Sequence, residues 1–219
     1  MPREFLLLQG RGCVHKACTY CDYYLDVADT AEERFSINKA ALDQVTGVYG
    51  MLDIINSGSV HELDDETLQY IREIADTHAI HTIWFEVHWI FVNALEQIRD
   101  LFPNQIVRFR CGIESFDHES RLSMHKGMPD VSVEEISKYF DSICLLTGME
   151  GQHLDVIRRD IELARDHFMH FSVNVFNDNS MPVHRDETLI KQFMDEIYPW
   201  ASALENCEVQ VEITDLGVG

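Results

Sequence analysis

The sequence predicts an α/β fold built on a parallel sheet, and three observations carry that reading. Apolar runs short enough for strands alternate six times with segments of helical period. No repeat and no Pro/Gly-rich linker interrupts the series. Polar residues fall on one face of the third, fourth and sixth strands, which favours a barrel or partial barrel over an open doubly wound sheet, with the site at the strand C-terminal ends. With 219 residues and 46% hydrophobic content, residues 1–219 are expected to form one domain whose core needs no disulfides.

Phe5 to Leu8 reads as the first strand, ended by Gln9-Gly10-Arg11-Gly12. The loop after it carries Cys13, Cys18 and Cys21. Asp22 to Ser36 has no clean period and reads as loop, after which Asn38 is expected to cap a helix reaching about Tyr49. Met51 to Ile55 is the second strand and closes with Asn56-Ser57-Gly58-Ser59. Asp64 is expected to cap a helix through about His78 with Leu68, Ile71, Ile74 and Ala75 on one face.

The third strand, His81 to His88, sets Ile83, Phe85 and Val87 against Trp84, Glu86 and His88. A helix over Ile90 to Leu101 stops before Pro103, and the fourth strand runs from Ile106 to Glu114. Short helices follow at Asp117 to Met124 and Val133 to Tyr139. Ser142 to Thr147 is the fifth strand, Leu154 to His167 a helix, and Phe171 to Phe176 the sixth strand, with Ser172, Asn174 and Phe176 on one face. Asp186 is expected to cap a helix to about Tyr198, and Glu208 to Ile213 reads as a last short strand. In this arrangement Cys13, Ser57, Glu86, Glu114 and Asn174 all point at one mouth.

The formal net charge of −21, from 38 acidic and 17 basic side chains, argues against nucleic acid as a partner, because phosphate backbones are bound through clustered Lys and Arg. A small neutral or cationic substrate fits better. No apolar run approaches the roughly 20 residues needed to cross a bilayer, and the N-terminus has no secretion-signal pattern, so a cytoplasmic protein without a membrane partner is expected. In a reducing compartment three cysteines in one short loop read as a metal or redox site, while Cys111, Cys144 and Cys207 read as core residues. The loop alone leaves two readings open. Cys13, His15, Cys18 and Cys21 could hold a structural zinc, and the three cysteines alone could form another metal or redox site.

The cysteine loop, Cys18-Thr19-Tyr20-Cys21 above all, resembles the signature of the radical S-adenosylmethionine superfamily, although four residues separate Cys13 from Cys18 where the family usually has three. Asn56-Ser57-Gly58-Ser59 resembles its glycine-rich segment. Gly112-Ile113-Glu114-Ser115 with Arg121 and Lys126-Gly127 resembles its fourth-strand motif, and Leu145-Leu146-Thr147-Gly148-Met149 its fifth-strand motif. The resemblance spans most of the chain and implies a single-domain partial (β/α)6 barrel of the radical S-adenosylmethionine type. It also implies a 4Fe-4S cluster on Cys13, Cys18 and Cys21, and S-adenosylmethionine against Tyr20, Ser57, Gly58, Glu114, Ser115, Arg121, Leu146 and Asn174.

Asn-Ser-Gly-Ser and Gly-Ile-Glu-Ser further resemble the 7-deazaguanine branch, which contains lyases acting on tRNA and on the free base queuine. The net charge favours the free base. The implied reaction is cleavage of queuine to 7-aminomethyl-7-deazaguanine by a carbon–nitrogen lyase of queuosine salvage, with a flavodoxin or ferredoxin as electron donor and a homodimer as one oligomeric option. Glu86 and Asp215 are the expected acceptors for the guanine-like edge, and Trp84, His88 and Phe176 the expected walls. Several candidate residues have a plainer reading as well: Glu114 could neutralise Arg108 or Arg110, Glu86 could sit in a buried ion pair, His88 could be a wall residue and Asp215 an exposed tail residue.

Overall fold

The structure, a computed structural model, describes residues 2–212. The chain forms two compact units, one of residues up to 16 and 23–110, the other of 17–22 and 111 onward.

In the first unit β1 (Glu4–Leu8), β2 (Met51–Asn56), β3 (Thr82–Glu86) and the opening part of β4 (Ile106–Glu114) pair in parallel, in chain order. Helices α1 (Ala31–Leu42), α2 (Asp65–Thr77) and α3 (Leu95–Leu101) connect them, α3 being entered through a 3-10 turn at Trp89–Ala94. The α2 face seen in the sequence is the buried one, with Leu68, Ile71, Ile74 and Ala75 at 8% exposure or less.

The start of the first helix departs furthest from expectation. Helix α1 starts seven residues before Asn38, inside the stretch expected to be loop. Thr30 is its cap: the Thr30 side chain accepts the Glu33 amide while the Glu33 carboxylate accepts the Thr30 amide. Asn38 is instead a buried clamp within the helix, accepting the Gln9 amide at 2.6 Å and donating to the Gln9 carbonyl at 2.8 Å and to Thr67 at 3.1 Å. A weakly amphipathic helix with a polar buried residue leaves no periodic signal to find.

Asp64 is the N-cap residue of α2 as expected, but its side chain makes no capping bond, because its carboxylate is spent on Arg34 at 2.7 Å. Strands β2 and β4 also share a buried ion pair, in which Arg110 Nη2 lies 2.7 Å and Nη1 3.1 Å from the Asp53 carboxylate. Arg3 Nε reaches the same carboxylate at 2.8 Å. The charge that meets Arg110 is therefore Asp53.

In the second unit the end of β4 leads to α4 (His118–Ser123) and α5 (Val133–Ser137). Strands β5 (Ser142–Thr147), β6 (His170–Val175) and β7 (Cys207–Gln210) pair in parallel, with α6 (Leu154–His167) and then α7 (Glu187–Glu196) and α8 (Tyr198–Ala201) between them. Asp186 caps α7 as expected, accepting the amides of Thr188 and Leu189. Strand β7 begins one residue earlier than expected and closes at Gln210; Ile213 lies outside the described residues. Cys111 and Cys144 are buried core thiols, whereas Cys207 is half-buried.

Candidate active site

The second unit gathers a buried polar triad at the end of β4. Glu114 closes the strand with a φ of +67°, a left-handed conformation uncommon for a non-glycine residue and concentrated at functional sites. Its Oε1 accepts the Tyr20 hydroxyl at 2.9 Å and the Lys126 ammonium at 2.6 Å, while Lys126 Nζ also reaches the Tyr20 oxygen at 3.2 Å. Lys126 is delivered by the turn after α4, where His125 and Gly127 both take positive φ. All three side chains are buried. Burial, the largest single influence, would lower the Lys126 pKa, but the Glu114 carboxylate together with Cys18 and Cys111 holds the ammonium well above its ordinary range. The Tyr20 phenol is pushed up by burial, then by Glu114, with Cys18 and Cys21 adding to the effect. The triad is thus a proton-bearing cation and phenol organised around one carboxylate.

Tyr20 also joins an apolar cluster of Cys18, Met124, Met149 and Phe176, flanked by Cys21, Leu146 and Val183. The cysteine segment is fastened on both sides. The Thr19 amide donates to the Met124 carbonyl at 3.0 Å, Asn179 Nδ2 donates to the Tyr20 carbonyl at 2.7 Å, and Ser180 donates twice to the Asp22 carboxylate. Two strand-end acceptors, Asn174 Oδ1 on β6 and Thr147 Oγ1 on β5, are buried atoms without a hydrogen-bond partner among the described residues. Such groups are rare in folded proteins and fit a polar ligand.

Ser115 and Arg121 belong to a separate buried network. The Ser115 hydroxyl donates to Asp160 of α6 and accepts the Asp117 amide at 3.0 Å. Arg121 donates to the carbonyls of Ser115, Phe116 and Pro129. Asp160 is pushed up to about 6, chiefly by burial. These residues shape the turn after Glu114 from behind.

In the first unit the turn after β2 lies against the segment of Cys13. A Cβ on Gly58 would meet the Glu62 carboxylate at 2.1 Å and the Cys13 Cα at 3.2 Å, so only glycine fits there. Ser57 donates to Asp26 at 3.1 Å, and the buried Glu62 carboxylate accepts the amides of Ser59 and Val14. Burial raises the Glu62 pKa against the opposing pull of those two amides, Arg11 and Lys16. Lys16, in the stretch that follows Cys13, takes a left-handed φ of +51°.

Among the residues expected to face substrate, His88 is buried, stacks on His15 with ring centroids 4.7 Å apart, accepts the Ile90 amide on Nδ1 and donates its own amide to Ser59 Oγ. Glu86 is half-buried at the end of β3, in register with Arg110. Trp84 is 1% exposed with the Arg110 guanidinium over its ring, which makes it a core wall. Phe176 stands beside Cys18 and Tyr20 in the apolar cluster. Asp215 lies outside the described residues. Sequence reading missed Glu62, Asp26, Asn179 and Asp160 as site-shaping groups. Only Glu62 left a signal, since Ser59-Val60-His61-Glu62 is a capping-box pattern.

The donor chemistry suits an iron–sulfur cluster. Cys13, Cys18 and Cys21 are free thiols, none in a disulfide; Cys18 and Cys21 lie with the apolar cluster of the second unit, and Cys13 lies beside the turn of Gly58 in the first.

No family model and no curated protein matches the chain. Solved structures do. The queuine lyase from Clostridium spiroforme, bound to SAM and queuine, is 37% identical and superposes with a TM-score of 0.93 over 99% of this chain and 94% of that one. Streptococcus suis SuiB bound to S-adenosylmethionine shares the fold at a TM-score of 0.58, with 15% identity over 97% of this chain and 48% of that one. The fold is therefore the α/β partial barrel of the radical S-adenosylmethionine type expected from the sequence motifs. At this identity and coverage, the chain belongs to the queuine lyase family of radical S-adenosylmethionine enzymes.

Proposed function

We propose that this chain is a radical S-adenosylmethionine lyase that cleaves queuine to 7-aminomethyl-7-deazaguanine, breaking a carbon–nitrogen bond, in salvage of a tRNA-modification precursor. The observation that carries the reading is the 37% identity across 99% of the chain to a queuine lyase bound to SAM and queuine. Residues 1–219 act as one catalytic domain, in the cytoplasm, with a flavodoxin or ferredoxin as electron donor. The acidity of the chain, at net −21, disfavours a tRNA substrate and suits the cationic amine of queuine.

Cys13, Cys18 and Cys21 would hold the 4Fe-4S cluster, next to which S-adenosylmethionine would bind. Bound together, cluster and S-adenosylmethionine supply a hydrogen-abstracting 5′-deoxyadenosyl group. The protein's share is orientation and shielding. Ser57 and Gly58 carry the turn after β2 up against the segment of Cys13, Tyr20 and Glu114 present polar atoms at the end of β4, and Asn174 has an acceptor with no hydrogen-bond partner among the described residues. Leu146, Met149 and Phe176 keep water away from the cysteine segment. Glu86 and Asp215 accept the guanine-like edge, with His88 as a wall.

The test is an anaerobic incubation of the reconstituted protein with S-adenosylmethionine, a reductant and a panel of 7-deazapurines, read by mass spectrometry. Queuine should yield 7-aminomethyl-7-deazaguanine together with 5′-deoxyadenosine. Stoichiometric zinc in place of iron, or 5′-deoxyadenosine formation indifferent to queuine, would sink the reading.

A further inference from the structure

We infer that Glu62 is a positioning residue for the first cluster-ligating segment, one that clamps Cys13 from both sides. The Glu62 main-chain carbonyl accepts the Arg11 amide at 2.8 Å, two residues before Cys13. The Glu62 carboxylate accepts the Val14 amide, the residue directly after it. A single residue thus brackets the cysteine, through its backbone on one flank and its side chain on the other.

The clamp is itself held. The second carboxylate oxygen accepts the Ser59 amide, which fixes the side chain to the turn that follows β2. Arg11 adds two bonds from its guanidinium, to the carbonyls of His61 at 3.0 Å and Glu62 at 3.4 Å. At 2% exposure the carboxylate has no water to fall back on, so each of its acceptor sites matters. Gly58 completes the fit: its missing side chain leaves the space that the carboxylate fills beside Cys13. A chain with four residues between its first two cysteines has more freedom to misplace the first thiol, and Glu62 removes that freedom at the flank where it arises.

The inference rests on Cys13 being a cluster ligand, but it needs neither queuine nor turnover to be tested. Glu62→Gln keeps the shape and turns an acceptor oxygen into a donor that faces an amide. Iron release from the reconstituted protein to a chelator is compared among wild type, Glu62→Gln and Gly47→Ala. Gly47 lies in the turn before β2, has φ +74°, and would place a Cβ 2.2 Å from the His78 carbonyl, so its substitution destabilises the first unit away from the cysteines. The electron paramagnetic resonance spectrum of the reduced cluster is recorded alongside.

Glu62→Gln should release iron about 10- to 100-fold faster than wild type and Gly47→Ala, with an altered spectrum and native circular dichroism in the apo form. Release no faster than in Gly47→Ala, an unchanged spectrum, or an apo-protein that has lost native dichroism would each overturn the assignment. A wild-type protein that takes up no iron would remove the cysteine reading and this inference together, a result visible before any variant is made.

Discussion

Lys126 is the only cation bonded to Glu114 among the described residues, and it does so at 2.6 Å beneath the surface, beside a phenol that shares the same carboxylate oxygen. Each charge makes the other tolerable in a site that is largely shielded from water.

Removing one member should therefore cost more than removing a surface ion pair. Lys126→Met is expected to lower unfolding free energy by about 3–5 kcal/mol, because Glu114 would be left buried and unpaired. Urea denaturation of the apo-protein measures this, and Lys126→Met/Glu114→Leu should recover part of the loss. A single variant as stable as wild type would show that the carboxylate finds another way to be satisfied.

The cysteines give a qualitative outcome. Cys18→Ser and Cys21→Ser should abolish the broad visible absorption of the reconstituted protein and S-adenosylmethionine cleavage, while Cys144→Ser, whose thiol is buried in β5, should leave both in place. Iron analysis and 5′-deoxyadenosine yield separate the two groups.

Asp160 predicts a pH dependence of stability with an unusual sign. Its carboxyl titrates at about 6 in the fold against 3.8 ordinarily, mainly because burial disfavours the charged form. Between those values the folded state binds more protons than the unfolded one, so this group's contribution is fully present below about pH 4 and is lost as pH rises through about 6. Relative to Asp160→Asn, wild type should lose up to ~3 kcal/mol across that window, from 1.36 kcal/mol per pKa unit. Urea unfolding of both proteins from pH 4 to 7 checks it; parallel curves would refute it.

Asp53 answers two guanidinium groups, Arg110 and Arg3, at 0% side-chain exposure. Asp53→Ala is expected to destabilise by at least about 3 kcal/mol, more than Arg3→Ala, because Arg110 is the more deeply buried of the two partners. Thermal unfolding of the two variants ranks them.

Strong periodicity made most of the scaffold legible. Strands β4 and β5 and helix α6 have the bounds that the sequence indicates, since long runs with clear alternation or helical spacing admit one reading. Helix α1 did not show itself, because Asn38 and Arg34 occupy its buried face and the apolar period is absent. Within the site, chain-local motifs such as Cys18-Thr19-Tyr20-Cys21 and Gly112-Ile113-Glu114-Ser115 were readable, whereas pairings between them were not. Nothing in the sequence says that Arg110 meets Asp53 while Glu114 takes Lys126. Both arginines of β4 alternate onto the same face as Glu114, and register sets Arg108 level with Asp53 through Trp84, yet Arg110 reaches the Asp53 carboxylate, so neither alternation nor register foretells that pairing. Ser115 illustrates the same limit, since its hydroxyl is directed at α6, an element forty residues on.

The second unit borrows residues 17–22 from a part of the chain nearly ninety residues away from the rest of it. A cut between Arg110 and Cys111 would consequently yield no self-sufficient half. The C-terminal piece would keep Glu114 and Lys126 but lose the phenol of Tyr20 and the packing of Cys18, leaving Met124, Met149 and Phe176 with an open apolar face. Insertion, splitting or circular permutation of this enzyme has to respect that six-residue loan, and any ancestor assembled from two separate halves would have needed it supplied from outside.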